Sequence, residues 1–255
     1  MKGRRHIIIP DVQAKPGNDF TFLRAVGNYI AHMKPDVIVN IGDFADMPSL
    51  SSYDKGKKSF EGRRYNNDIA AAHEAMQTLM SPIKAEQRRL RSNRKTRWSP
   101  AMHLTLGNHE NRIDRAVDSE PMLEDVIKVS DLRYSDDWTV HRFLQPVVID
   151  GVVYCHYLTS GPMGRPIGTA QRILTLRHMS AVVGHQQGRQ VATSYRADGT
   201  PITAIIAGSC YEHNEDYMGP QGNNHWRGIV VLNEVQDGSF DEMFVSLNYL
   251  KEKWL

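Results

Sequence analysis

Short runs of consecutive apolar residues alternate, along the first half of the chain, with stretches whose apolar residues recur every three or four positions. The runs in "HIIIP" (6–10), "DVIVNIGD" (36–43) and "MHLTLGN" (102–108) are too short for helices and are bounded by Pro, Gly, Asp or Asn, so they predict buried strands. Between the first two, Phe22, Val26, Tyr29, Ile30 and Met33 form one helical stripe, with Asn18 or Asp19 available as its cap. Residues 66–80 read as a further helix. Ser81-Pro82 reads as the opening of another, because proline suits a first helical turn, and a helical stretch follows around 119–128.

The second half changes character. "PVVIDGVVYCH" (146–156) reads as two strands joined by Asp150-Gly151, a strong two-residue hairpin signal. After a helix at roughly 167–178, strands near 180–183, 189–196, 201–207, 228–234 and 242–248 follow closely, predicting a second sheet with much antiparallel pairing. The expected fold class is α/β, a two-sheet β-sandwich flanked by helices, with residues 1–255 as one domain. Neither an internal repeat nor an interdomain linker interrupts the pattern.

Composition narrows the class. At 255 residues and 40% hydrophobic content the chain can bury a substantial core. Its apolar runs are far shorter than the ~20 residues that span a bilayer, and "MKGRRHIIIPDV" lacks the apolar stretch of a signal peptide. Cys155 and Cys210 are too few for a disulfide framework. A cytoplasmic location is expected, with no membrane and no obligatory protein partner. The net charge of +2 is uneven: residues 83–97 carry seven Lys/Arg against Glu86 alone, a local +6 that leaves −4 elsewhere. A basic stripe on a mildly acidic body suits an anionic partner.

Polar residues of one kind follow the strands: Asp11, Asp43, Asn108, His156 and His185. Alone, each is explained by a turn, a cap or a satisfied core histidine. Five together, at the carboxyl ends of β-type runs, mark the place where α/β sheets build sites. Carboxylates, an amide and imidazoles form the mixed oxygen and nitrogen set that divalent metals favour.

In order, "PDVQ", "GDFAD", "GNHE", "CH" and "GHQQ", spanning residues 11–187, resemble the motifs of the calcineurin-like metallophosphoesterases, including proteins encoded by bacterial viruses. The resemblance implies a two-sheet sandwich and two metal ions bridged by a carboxylate and a hydroxide that attacks phosphorus in line. It makes Asp43 the bridging ligand and Asp11 a ligand of the first metal. Asn108, His156 and His185 would hold the second. His109 would lie beside the scissile ester rather than on a metal, oriented by Asp46. Two positions depart from the family: Gln13 and Gln187 stand where histidines of the first metal are expected. An amide oxygen is a harder donor than imidazole, so the first site becomes all oxygen and suits Mn²⁺ best, with Mg²⁺ next; the second also suits Fe²⁺ or Zn²⁺.

The expected activity is hydrolysis of a phosphodiester, in nucleic acid or a nucleotide. Alternatives are a phosphomonoesterase of the serine/threonine protein phosphatase type and a catalytically silent metal-binding module. The monoester reading is weakened because Met47-Pro48 replaces the Arg-Gly that usually follows "GDxxD" in that branch. For substrate contact, the long polar connection 48–67 offers Arg63 and Arg64 among Tyr53, Phe60 and Tyr65, a mixture suited to phosphate and base. Residues 209–227 offer His213 and His225 with Tyr211, Trp226 and Arg227; Arg165 and Arg189 are phosphate-clamp candidates. Arg112 reads as a helix-surface or salt-bridge residue, and the 48–67 and 83–97 segments are expected on one side. If phage-encoded, the protein works in the host cytoplasm.

Overall fold

The computed structural model describes residues 3–215 and 218–255. In chain order the elements are β1 (Arg4–Ile9), α1 (Thr21–Met33), β2 (Val37–Asn40), α2 (Tyr65–Ser92), β3 (Ala101–Thr105), α3 (Arg112–Ser119) and β4 (Thr139–His141). They continue with β5 (Val147–Ile149), β6 (Val152–Cys155), α4 (Ala170–Arg177), β7 (Ala181–Val183), β8 (Arg189–Tyr195) and β9 (Pro201–Ala207). The last are α5 (Gly219–Gly222), β10 (Gly228–Gln236), β11 (Ser239–Ser246) and α6 (Leu247–Trp254).

Two mixed sheets result, ordered β11-β10-β1-β2-β3-β4 and β5-β6-β7-β9-β8. In the first, β1 to β4 run parallel, with β10 antiparallel to β1 and β11 to β10. In the second, β6, β7 and β9 run parallel between antiparallel edges. Ile8, Val37 and Val39 of the first sheet meet Tyr154, Val182 and Ile205 of the second in a shared core. Ile7 and Ile9 face the opposite way, into the core built with α1, α2 and α6, while α4 covers the outer face of the second sheet. Both faces of β1 are therefore covered, which is why its isoleucines run consecutively instead of alternating.

One polar tie crosses the sandwich. His6 of β1 is fully buried, its Nδ1 2.7 Å from the Tyr154 hydroxyl of β6 and its Nε2 2.8 Å from Asp150 Oδ2. A neutral imidazole satisfies both partners, accepting from the tyrosine and donating to the carboxylate.

Several expectations need correction. α2 runs unbroken through Pro82 instead of restarting there. The buried face formed by Ala75, Met76, Leu79, Met80 and Ile83 continues across the proline, and its packing outweighs one missing backbone donor. Gly27 of α1 makes this possible: a Cβ there would lie 2.3 Å from Leu79 O and 3.1 Å from the Pro82 ring. The helix expected around 119–128 is α3 at Arg112–Ser119, followed by a single 3-10 turn opened by Pro121. β10 and β11 join the first sheet, because β10 is apolar on both faces and takes an interior place beside β1. The strand β4 was not foreseen at all. Asp19 does serve the start of α1, accepting from Thr21 N at 2.8 Å. No described helix is long and apolar enough to cross a membrane.

Candidate metal centre

Parallel strands put chain-successive polar residues on one rim. Asp11 follows β1, Asp43 follows β2, Asn108 and His109 follow β3, His156 follows β6, and His185 follows β7. The loops are stitched by backbone bonds: Gln13 N donates to Asp43 O (2.8 Å), Cys210 N to Asp11 O (2.8 Å) and Gly184 N to His156 O (2.9 Å). Two glycines are demanded by close approach. A Cβ on Gly107 would sit 2.1 Å from Asp43 Oδ1, and one on Gly184 would sit 2.5 Å from Asp11 Oδ1. Gln13, Asp43 and His185 have φ of 48°, 49° and 67°, a left-handed conformation uncommon for such residues. Backbone strain of this kind collects where side-chain direction matters.

Asp43 is the hub. His109 N donates to its Oδ1 (2.9 Å), and His156 Nε2 stands 3.3 Å from its Oδ2. The His156 ring is aimed by its other nitrogen, which donates to Ile41 O (2.8 Å), a carbonyl anchor of the kind that orients metal-binding histidines. Asn108 Oδ1 lies 2.9 Å from His156 Nε2 and 2.7 Å from His185 Nδ1. Asp43, His156 and His185 can offer ligand atoms all within 4.8 Å of one another.

The electrostatics of the cluster are those of crowded, buried charges. Burial, then the His156 and Asp43 charges, bring the Asp11 carboxyl to about 7. Burial opposes charge on Asp43 too, but the His109 and His156 charges hold it below the usual carboxylate range. Burial disfavours the His156 imidazolium, yet Asp43 and Asp11 push it up to about 9. Burial and the neighbouring imidazolium of His156 press His185 down to about 4. Acceptors converge here, and a divalent cation would relieve their repulsion and take the place of the shared protons.

On the Asp11 side, His185 N donates to Oδ1 (3.2 Å) and the Gln187 amide nitrogen to Oδ2 (3.4 Å). Turning that amide over would bring oxygen against carboxylate, so its orientation is set by charge. The consequence is that Gln187 Oε1 is buried without a hydrogen-bond partner among the described residues, and so is Gln13 Oε1. Buried amide oxygens with no other partner are the hard, neutral donors that an ion of the Mn²⁺ or Mg²⁺ type takes.

Next to the cluster His109 Nδ1 donates to Asp46 Oδ1 at 2.7 Å. Burial works against charge on His109, but Asp43 and Asp46 raise its pKa above the ordinary value. Of the two readings of Arg112 the salt-bridge one holds: it pairs with Asp46 Oδ1 at 3.3 Å and is turned inward from the helix surface. Its guanidinium donates to Asp46 O (2.7 Å) and lies 3.2 Å from His109 Nε2, because α3 begins directly after the "GNHE" turn. Glu110 was overlooked as well, although it is the last letter of that motif. Fully buried, it accepts from the backbone N–H of Asp43 (3.0 Å), Ala45 (2.9 Å) and Gly107 (2.9 Å), locking two ligand loops together.

The substrate-contact candidates divide. Arg165 is exposed in the loop after His156. Arg189 lies at the rim, but its guanidinium stacks over Trp226 (5.0 Å) and Phe244 (4.6 Å). Arg63 is drawn into its own loop by Asp54 Oδ2 (2.9 Å) and Pro48 O (3.0 Å), while Arg64 is exposed. His213 bonds Asn18 (2.7 Å) and Glu215 (2.6 Å), and Glu215 in turn holds Lys15 (2.8 Å), which lies 3.8 Å from Asp46. His225 is held by Ser209 (2.8 Å) and Gly222 O (2.9 Å). Asp216 and Tyr217 of this rim lie outside the described residues. The 48–67 and 83–97 segments lie toward opposite ends of α2, whose 28 residues span about 42 Å.

No protein-family model matches the chain. It is 33% identical over 82 residues to the Gene 54 protein of Mycobacterium phage D29, covering 32% of this chain and 31% of that protein. It is 40% identical over 65 residues to the Gene 54 protein of Mycobacterium phage L5, covering 26% and 25%. The matches thus span about a third and a quarter of those relatives. Among solved structures, a conserved predicted phosphoesterase of Streptococcus pneumoniae covers 97% of this chain and 92% of its own at 9% identity and TM-score 0.41. YfcE, a phosphoesterase from E. coli, covers 96% and 100% at 14% identity and TM-score 0.37. At these scores neither neighbour bears on what the site does.

Proposed function

We propose that the chain is a metal-dependent phosphoesterase with two divalent ions, acting on phosphodiesters of nucleic acid or a nucleotide. The observation that carries the reading is the meeting of Asp43, His156 and His185, whose ligand atoms lie within 4.8 Å of one another, with the His109–Asp46 pair next to Asp43. One ion would be held by Asp11, Gln13, Asp43 and Gln187, the other by Asp43, Asn108, His156 and His185. When bound, such a pair supplies Lewis acidity at phosphorus and lowers the pKa of water between the ions.

The chain's own residues do the rest. His109 gives Nδ1–H to Asp46, and its Nε2 accepts from the Arg112 guanidinium at 3.2 Å; with its pKa raised by Asp43 and Asp46, Nε2 can carry a proton to the departing ester oxygen once Arg112 turns away from it. Asp46 and the Arg112 guanidinium fix the ring's direction. Diester over monoester is favoured by Met47-Pro48, which offers no cation for a second phosphate charge where the phosphatase branch has arginine. Arg165, Arg64, His213 and His225 are proposed to contact the substrate around the rim.

The test is a comparison with Mn²⁺ of bis-p-nitrophenyl phosphate, p-nitrophenyl phosphate and single-stranded DNA or RNA. The diester and nucleic acid are expected to turn over. A preference for the monoester points instead to a phosphatase, and silence toward all three with metal bound points to a binding module.

A further inference from the structure

The basic stretch 83–97 takes no part in the metal centre, and the fold gives it a separate place. α2 ends at Ser92, Arg94 turns the chain with φ 51°, and Lys95 N closes back on Leu90 O at 3.1 Å. Within the stretch, Lys84 is paired with Asp137 and Arg89 with Glu86. Arg88, Arg91, Arg94, Lys95 and Arg97 are all exposed, and among the described residues their side chains make no hydrogen bond or ion pair. Arg88 and Arg91 have an ordinary use, complementing the negative end of the helix dipole. Arg94, Lys95 and Arg97 lie beyond the last turn and have none.

Beside these cations is a cleft of about 710 Å³ lined by Lys34, Lys95, Arg97 and Trp98 among others. The Trp98 indole is held half-buried as a wall by donating Nε1–H to Pro35 O at 2.8 Å. The cleft is bounded by Arg4, Asp36 and Ala101, residues at the amino ends of β1, β2 and β3. The metal centre follows the carboxyl ends of the same strands, so the two sites occupy opposite edges of the first sheet. Five cations within ten residues repel one another, and a polyanion removes that repulsion while releasing its own counterions.

We infer that this edge binds a single nucleic-acid strand, with phosphates on Arg91, Arg94, Lys95 and Arg97 and a base against Trp98. The combination of a charged track and an aromatic wall is that of sequence-tolerant strand binding. The site would tether a long substrate remotely from the chemistry, and it stands whether or not the proposed hydrolysis does.

The experiment is fluorescence anisotropy in Mn²⁺ with a labelled, phosphorothioate-linked single strand, comparing the unaltered chain with R91Q/R94Q/K95Q/R97Q. The variant should bind at least about tenfold more weakly at low salt, and its log K against log salt slope should be shallower by about 3, at roughly 0.7 per lost phosphate contact. Turnover of bis-p-nitrophenyl phosphate, too small to reach this edge, should be unchanged. Equal affinity and slope in the two proteins overturns the inference, as does an unaltered chain that fails to bind the strand at low salt. A chain that binds through these residues but hydrolyses no ester would overturn the proposed activity alone.

Discussion

The Gln187 side chain donates to Asp11 Oδ2 at 3.4 Å while its own oxygen stays buried without a hydrogen-bond partner among the described residues. Gln13, two residues past Asp11, leaves its oxygen in the same state. An unsatisfied buried amide oxygen costs about 1–3 kcal/mol, and coordination of a cation would remove that cost at each position. At saturating Mn²⁺ the chain should hold two ions, and Gln13→Leu or Gln187→Leu should hold one, as read by elemental analysis after equilibrium dialysis. A single ion in the unaltered chain would remove the first site from the account.

Donor type should also set metal preference. Gln13→His with Gln187→His restores imidazoles, softer ligands than amide oxygen. The double variant should gain at least about tenfold in Zn²⁺ over Mn²⁺ preference, measured by competition for the apo protein. No change in preference would show that the amides do not coordinate.

How far the sequence reveals this depends on locality. The strand ends were legible because "IIIPD", "VNIGD" and "LGNHE" each put a buried run directly before a polar residue. The continuity of α2 was not, since Pro82 reads as a helix start until Gly27 of another helix is seen to accommodate it. The placement of β10 was hidden because its partner β1 lies more than two hundred residues away. Glu110, and the particular partner of the Arg112 salt bridge, were hidden for a similar reason: both depend on the "GDFAD" loop, which only the fold brings into reach. The distance between the two basic segments was hidden because residues 65–92 form one unbroken helix, which puts them toward its opposite ends.

Stability should fall on acidification through His6. Burial, against the pull of Asp150, lowers its pKa below the ordinary value of 6.5. The folded state therefore binds fewer protons than the unfolded one as pH drops below that value, so stability is fully present above it and declines toward the folded pKa. The urea midpoint of the chelator-treated protein should decrease between about pH 7.5 and pH 5.5, and His6→Gln should flatten that dependence. An unaltered slope in the variant would assign the effect elsewhere.

Glu110→Gln should be costly without touching substrate. The carboxylate accepts from three backbone N–H groups, and the amide would turn a donor toward at least one of them. A loss of about 2–4 kcal/mol is expected in urea unfolding, with weaker Mn²⁺ binding. Unchanged metal affinity would mean that Asp43 and Gly107 hold their places without it.

His109 separates chemistry from metal binding. It donates to Asp46 and approaches Asp43 Oδ2 only at 3.7 Å, whereas His156 stands at 3.3 Å and is aimed by Ile41 O. His109→Ala should therefore lower kcat by about 10²–10⁴ with metal content nearly unchanged, the range for loss of a positioned proton donor. Asp46→Asn keeps the ring in place through its side-chain oxygen but removes the charge that favours the imidazolium, so its loss should be smaller. A diester with a good leaving group, which needs no protonation, should narrow the gap between His109→Ala and the unaltered chain. If the gap instead stays the same for good and poor leaving groups, His109 acts on the phosphoryl oxygens rather than on the departing one.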